Sequence, residues 1–124
     1  MEVDDQPALL IVDDDLTFCG VLAKAMAKRG FNVTCAHSVE QALESAEACL
    51  PEYAIIDLRL PGMSGLTLVE KLKNLDPGTR IVMLTGYASI ATAVEAIKLG
   101  ATHYLAKPVD TDQLLSALRM WLHR

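Results

Sequence analysis

The chain has 124 residues, 52% of them hydrophobic and 22% charged, with a formal net charge of −5. That length suits one domain burying roughly two-thirds of the surface its unfolded form exposes, so a core needs no disulfide or metal staple. The acidic balance and the lack of a Lys/Arg cluster exclude a nucleic-acid-binding surface on this domain, and no apolar run is long enough to span a bilayer. Residues 1–6 are acidic and polar, unlike a secretory signal, so the cytoplasm is the expected location. Cys19, Cys35 and Cys49 are odd in number and form no C-x-x-C pair, which points to reduced thiols rather than a disulfide framework or a zinc site.

Along the chain, short β-rich apolar runs alternate with longer helical patterns. Ala8–Val12 reads as a strand opening onto Asp13, Asp14 and Asp15, and a helix is predicted over 16–29 with Gly30 to end it. A strand over 32–36 leads to a helix over 39–49, announced by Ser38 and Gln41 as a capping box. The third strand, 53–56, delivers Asp57 into a Pro-Gly loop, and the helix over 64–75 follows. A strand over 80–84 runs into Thr85 and Gly86, and the helix over 90–99 stops at Gly100. The strand over 103–106 precedes Lys107 and Pro108. In the last helix, 111–122, capped by Asp110 with Gln113, Leu114, Leu118 and Leu122 mark the buried face.

This alternation implies an α/β fold of three layers, a parallel sheet with right-handed crossovers and helices on both faces. In such sheets ligands bind beyond the carboxyl ends of the strands, which selects Asp13, Asp57, Thr85 and Lys107. Two unit charges about 4 Å apart repel by roughly 4 kcal/mol at the effective dielectric of a protein surface, so converging aspartates call for a cation. Magnesium suits the cluster, being held by one or two carboxylates together with a phosphate. Asp15 has two readings, cluster member or cap of the first helix. Lys107 supplies a point charge for a phosphoryl oxygen, and Thr85 a hydroxyl donor. His37, His103 and His123 lack metal-ligand spacing.

Val-Asp-Asp-Asp at 12–15, Ile-Ile-Asp-Leu-Arg-Leu-Pro-Gly-Met-Ser-Gly at 55–65, Leu-Thr-Gly-Tyr at 84–87 and Tyr-Leu-Ala-Lys-Pro at 104–108 together resemble bacterial two-component response-regulator receiver domains of the CheY-like type. The resemblance covers essentially the whole chain. Residues 84–101 are further similar to the redox-responsive RegA and PrrA subgroup, whose members append a helix-turn-helix domain; here 1–124 reads as a single receiver domain without it. The resemblance implies a flavodoxin-like sheet of order 2-1-3-4-5 and a phosphoryl switch: Asp57 accepts phosphate from a sensor histidine kinase. Asp13, Asp14, Asp57 and the backbone carbonyl of Arg59 would hold Mg2+, with Mn2+ as a possible substitute. Lys107 and Thr85 would bind the phosphoryl group. Thr85 and Tyr104 would be the switch pair, acting on a face made by the fourth helix, fifth strand and fifth helix, through which a phosphorylated homodimer could form. A cis Lys107–Pro108 bond is also implied.

Family members differ at the positions occupied here by Arg59 and Tyr87, two large side chains expected to flank the acyl phosphate and lengthen its life. Asp14, Thr17, Phe18 and Val21 share one face of the first helix at i, i+3, i+4 and i+7 spacing, and Thr17, Phe18 and Val21 are expected to dock the kinase. One rival is an enzyme: Asp13-x-Asp15-x-Thr17 matches the nucleophile motif of haloacid-dehalogenase-type phosphatases, which leaves Asp57 without a role. The other is a cofactor-binding flavodoxin-like domain with solvated acids and no magnesium dependence.

Overall fold

The computed structural model describes residues 6–119. Five strands, β1 (Ala8–Val12), β2 (Asn32–Ala36), β3 (Tyr53–Ile56), β4 (Arg80–Thr85) and β5 (His103–Ala106), form one parallel sheet in the order β2-β1-β3-β4-β5. Five helices connect or follow them: α1 (Leu16–Lys28), α2 (Val39–Ala48), α3 (Gly65–Leu75), α4 (Ile90–Leu99) and α5 (Thr111–Arg119). A two-residue antiparallel ribbon, Arg59–Leu60 against Met63–Ser64, lies outside the sheet. Sheet order and fold class are those expected from the sequence. The predicted extension of the last helix, with Leu122, lies outside the described residues.

The inner strands are buried on both faces, which is why they read as unbroken apolar runs rather than alternating ones. Leu10, Val12, Ala54, Ile56, Ile81 and Met83 point to one side and pack with Val39, Ala42, Ala46, Leu68, Val69, Leu72 and Ala96 from α2, α3 and α4. Leu9, Ile11, Tyr53, Ile55, Val82 and Leu84 point to the other and meet Cys19, Leu22 and Met26 of α1 with Leu114, Ala117 and Leu118 of α5. The period of two along each strand thus divides the domain into two cores, one per face.

Local chemistry sets the helix ends. Gly30 (φ 96) and Gly100 (φ 116) take the left-handed conformation that closes α1 and α4, with paired bonds such as Phe31 N–H to Met26 O (3.2 Å) and Gly30 N–H to Ala27 O (3.1 Å). Ser38 caps α2 by accepting from Gln41 N–H at 3.1 Å. The expected return bond is shifted by one residue, because Gln41 Oε1 accepts from His37 N–H at 2.8 Å instead of from Ser38. Asp110 Oδ1 accepts from Gln113 N–H at 2.7 Å before α5, as its spacing indicated. No helix among the described residues is long and apolar enough to cross a membrane.

Candidate functional site

Strand register brings the site together. Val12 pairs with Ile56, and Asp57 N–H bonds Val12 O at 2.9 Å, so Asp13 and Asp57 leave adjacent strands side by side. Thr85 pairs with Ala106, and Lys107 N–H bonds Thr85 O at 2.9 Å, which puts the lysine at the same edge. Asp13, Asp57 and Thr85 are all buried, at 3%, 7% and 0% exposure, in positions where a polar group is costly without partners. Asp14 is exposed, yet oxygens of Asp13, Asp14 and Asp57 lie within 4.8 Å of one another.

One ammonium serves two of these carboxylates. Lys107 Nζ lies 2.7 Å from Asp13 Oδ2 and 3.7 Å from Asp57 Oδ2. Burial pushes the Lys107 ammonium down, but the bond to Asp13 and the charges of Asp13, Asp57 and Asp15 outweigh it and raise its pKa above the ordinary 10.5. Asp57 fares worse. Burial first, then the Asp13 charge, lifts its carboxyl above the ordinary 3.8, against the opposing pull of Lys107, the Thr85 hydroxyl and the Leu58 N–H. Its Oδ1 is buried with no hydrogen-bond partner. An orphaned carboxylate oxygen beside two further carboxylates is a donor set suited to a hard divalent cation.

The remaining aspartate of the run is a cap: Asp15 Oδ1 accepts from Phe18 N–H at 3.0 Å at the start of α1, and its own N–H donates to Asp13 Oδ1 at 2.9 Å. Behind Asp13, its carbonyl accepts from Cys19 Sγ at 3.3 Å and meets His37 Nδ1 at 3.0 Å. Cys19 is an inert thiol, pushed up to about 12 by burial and then by the charges of Cys35 and Asp13. All three cysteines are free.

The loop after β3 holds Asp57 through backbone contact that sequence reasoning missed. Pro61 and Gly62 (φ 77) sit at the corner of the ribbon, a combination suited to a type II turn, and fold the chain back so that Gly65 N–H bonds Leu58 O at 2.7 Å. A Cβ at Gly65 would lie 2.0 Å from the Asp57 carbonyl oxygen, so only glycine fits there. The available signal was the second glycine of the Pro-Gly-Met-Ser-Gly stretch.

Across the mouth of the pocket the Arg59 guanidinium stacks on the Tyr87 ring, 3.7 Å from its centroid, joining the two loops that follow β3 and β4. Thr85 Oγ1 accepts from Tyr87 N–H at 3.1 Å. Tyr104 is half-buried on the α2-α3-α4 side, its hydroxyl accepting from Ser89 N–H at 3.3 Å and bonded to Thr92 Oγ1 at the start of α4. Beyond it, Ile90, Val94 and Ile97 of α4 are exposed at 85%, 49% and 51%, an apolar stripe at helical spacing. On α1, Thr17 and Val21 are exposed, whereas Phe18 is half-buried with its ring against Lys107. The Lys107–Pro108 peptide is cis.

Because the folded Asp57 carboxyl holds its proton to higher pH than the unfolded one, the cation-free protein loses stability as pH rises from 3.8 through the raised value. Asp57→Asn should therefore raise the melting temperature of the cation-free chain at neutral pH and flatten that part of its pH profile. A divalent cation at tenfold excess over its Kd should raise the wild-type midpoint by about 5 °C, from roughly 1.4 kcal/mol, and shift the variant much less. Calorimetry with and without chelator checks both.

The family model for the response regulator receiver domain matches residues 9–119. The chain is 50% identical over 117 residues to the photosynthetic apparatus regulatory protein RegA of Rhodovulum sulfidophilum, covering 94% of this chain and 64% of that protein. It is 51% identical over 111 residues to the acid tolerance regulatory protein ActR of Rhizobium meliloti, covering 90% and 57%. It thus spans about three-fifths of these curated relatives. A Burkholderia pseudomallei response regulator, solved with a phosphorylated aspartic acid, calcium ion and citrate, superposes with a TM-score of 0.88 at 46% identity, covering 91% of this chain and 66% of that one. A CheY-like receiver domain from Methanospirillum hungatei gives 0.91 at 33% identity over 96% and 95%. With the sheet order, the strand-end acids and lysine, and these matches in agreement, the chain belongs to the response regulator receiver domain family.

Proposed function

We propose that Asp57 accepts a phosphoryl group from the phosphohistidine of a sensor histidine kinase, and that Asp13, Asp14 and Asp57 with the Arg59 carbonyl hold Mg2+, for which Mn2+ can substitute. The observation that carries this reading is the environment of Asp57: a buried carboxylate at a strand end, with one oxygen unpartnered and the other 3.7 Å from the Lys107 ammonium. A carboxylate oxygen of Asp57 attacks phosphorus, the P–N bond to the kinase imidazole breaks, and the imidazole leaves with the electron pair and takes up a proton. When bound, the cation neutralises charge on the carboxylates and on the phosphoryl oxygens. Lys107 binds one phosphoryl oxygen, and the Thr85 hydroxyl, now occupied as acceptor for Tyr87 N–H, donates its proton to another.

Motion of Thr85 draws on the segment that carries Tyr87 and Ser89. Ser89 N–H bonds the Tyr104 hydroxyl, so the pocket and the start of α4 are joined by hydrogen bonds. That connection supports Thr85 and Tyr104 as the switch pair and the α4-β5-α5 side as the face that changes, with its α4 stripe available to a second copy or an output element. The stacked Arg59 and Tyr87 shield the acyl phosphate from in-line water. The exposed Thr17 and Val21 on α1 support kinase docking beside the pocket.

Acetyl phosphate in the presence of Mg2+ should label Asp57, and Asp57→Asn should abolish labelling; peptide mapping of the label onto Asp13 would mark a phosphatase-type nucleophile instead. Arg59→Ala and Tyr87→Ala should each shorten the acyl phosphate lifetime severalfold in an autodephosphorylation assay, and unchanged rates in both would sink the shielding role. Val21→Glu should slow transfer from the kinase while leaving labelling by acetyl phosphate unchanged; equal rates from the kinase in variant and wild type would remove α1 as its docking face.

A further inference from the structure

We propose that Phe18 is a positioning residue for Lys107, the face of its ring keeping the ammonium over the pocket when Asp13 turns its charge to the cation. This rests on the reading of Asp57 as phosphoryl acceptor and goes beyond it. Lys107 Nζ lies 4.2 Å from the Phe18 ring centroid, well inside the distance at which an ammonium is attracted by an aromatic face. The same nitrogen is 2.7 Å from Asp13 Oδ2 and only loosely placed, at 3.7 Å, against Asp57 Oδ2.

The strongest of these three contacts is the one that cation binding weakens. Asp13 belongs to the carboxylate cluster, and charge donated to a divalent ion is no longer available in full to the lysine. A lysine side chain is a point charge on a flexible four-carbon stem and swings toward water once its partner is taken. The Phe18 ring is neutral and offers no oxygen to the ion, so its attraction for the ammonium persists through cation binding. Its backbone is fixed as well, since Phe18 N–H is the donor to the Asp15 cap, three residues into the turn that opens α1. The helix cap therefore sets where the ring sits, and the ring sets where the lysine sits. The half-buried position of Phe18, packed on the α1-α5 core, suits a side chain with one face on the core and one on the ammonium.

Phe18→Leu keeps the apolar bulk and removes the π face; Phe18→Trp restores one. In the Mg2+-loaded wild type, the Lys107 ε-methylene protons should resonate upfield from ring current, return to ordinary positions in Phe18→Leu and stay upfield in Phe18→Trp. Labelling of Phe18→Leu by acetyl phosphate should slow by about three- to tenfold, the equivalent of a partly desolvated cation–π contact, and Phe18→Trp should regain most of the rate. In a Lys107→Ala background, Phe18→Leu should change nothing further. The proposal is overturned if the wild-type upfield shift vanishes when Mg2+ is added, if Phe18→Leu labels at the wild-type rate, or if it slows labelling equally without Lys107. Should the label fall on an aspartate other than Asp57, the acceptor assignment fails, and the resonance arm still decides the ring contact by itself.

Discussion

Everything at the carboxyl edge of the sheet follows from one constraint, the parallel pairing of Val12 with Ile56. It obliges two carboxylates to emerge side by side from adjacent strands, and the pairing of Thr85 with Ala106 brings one ammonium to both. Two like charges sharing one counter-charge in a partly buried place are not a resting solution. Burial, and after it this imbalance, shows in the raised pKa of Asp57, one of whose oxygens has no partner. The fold can sustain that imbalance because both cores, one on each face, are closed by apolar side chains. Stability lies in the middle of the sheet, and chemistry is confined to its rim.

The three consecutive aspartates after β1 illustrate how finely position divides labour. Asp13 is buried against Lys107, Asp14 is exposed at the cluster's edge, and Asp15 turns away to cap α1. The same economy appears after β3, where a close backbone approach at Gly65 anchors the loop that carries Asp57. No side chain is involved there, so no residue type could substitute for the missing Cβ.

Much of this was legible in the sequence. The alternation of strands and helices, the four strand-end residues and the caps at Ser38 and Asp110 rest on periodicity and on local rules that act within a few residues, whereas the sheet order was implied by the family resemblance. Asp15, open between cap and cluster in the sequence, is the N-cap, because its carboxylate reaches Phe18 N–H only three residues on. Contacts between distant segments were not legible. Spacing on α1 groups Phe18 with Thr17 and Val21 as a surface face, and nothing local indicates that a lysine 89 positions later comes to rest on its ring. Arg59 and Tyr87 were singled out as separate bulky groups; that they stack on each other depends on where two loops end, which only the assembled sheet decides. The short ribbon around Pro61 and Gly62 was read as loop, since two residues per strand carry no detectable periodicity.

The division of the helices between the two faces has a consequence at the edge strand β5. Lys107 leans on α1, whose packing partners are on one side of the sheet, while Tyr104 is bonded to the start of α4, which packs on the other. The starts of α1 and α4 therefore lie on opposite faces of the sheet, with α5 beside α1. Two side chains only three residues apart on the chain, Tyr104 and Lys107, thus lean on opposite layers, and the edge strand that carries them is where the two faces of the sheet meet.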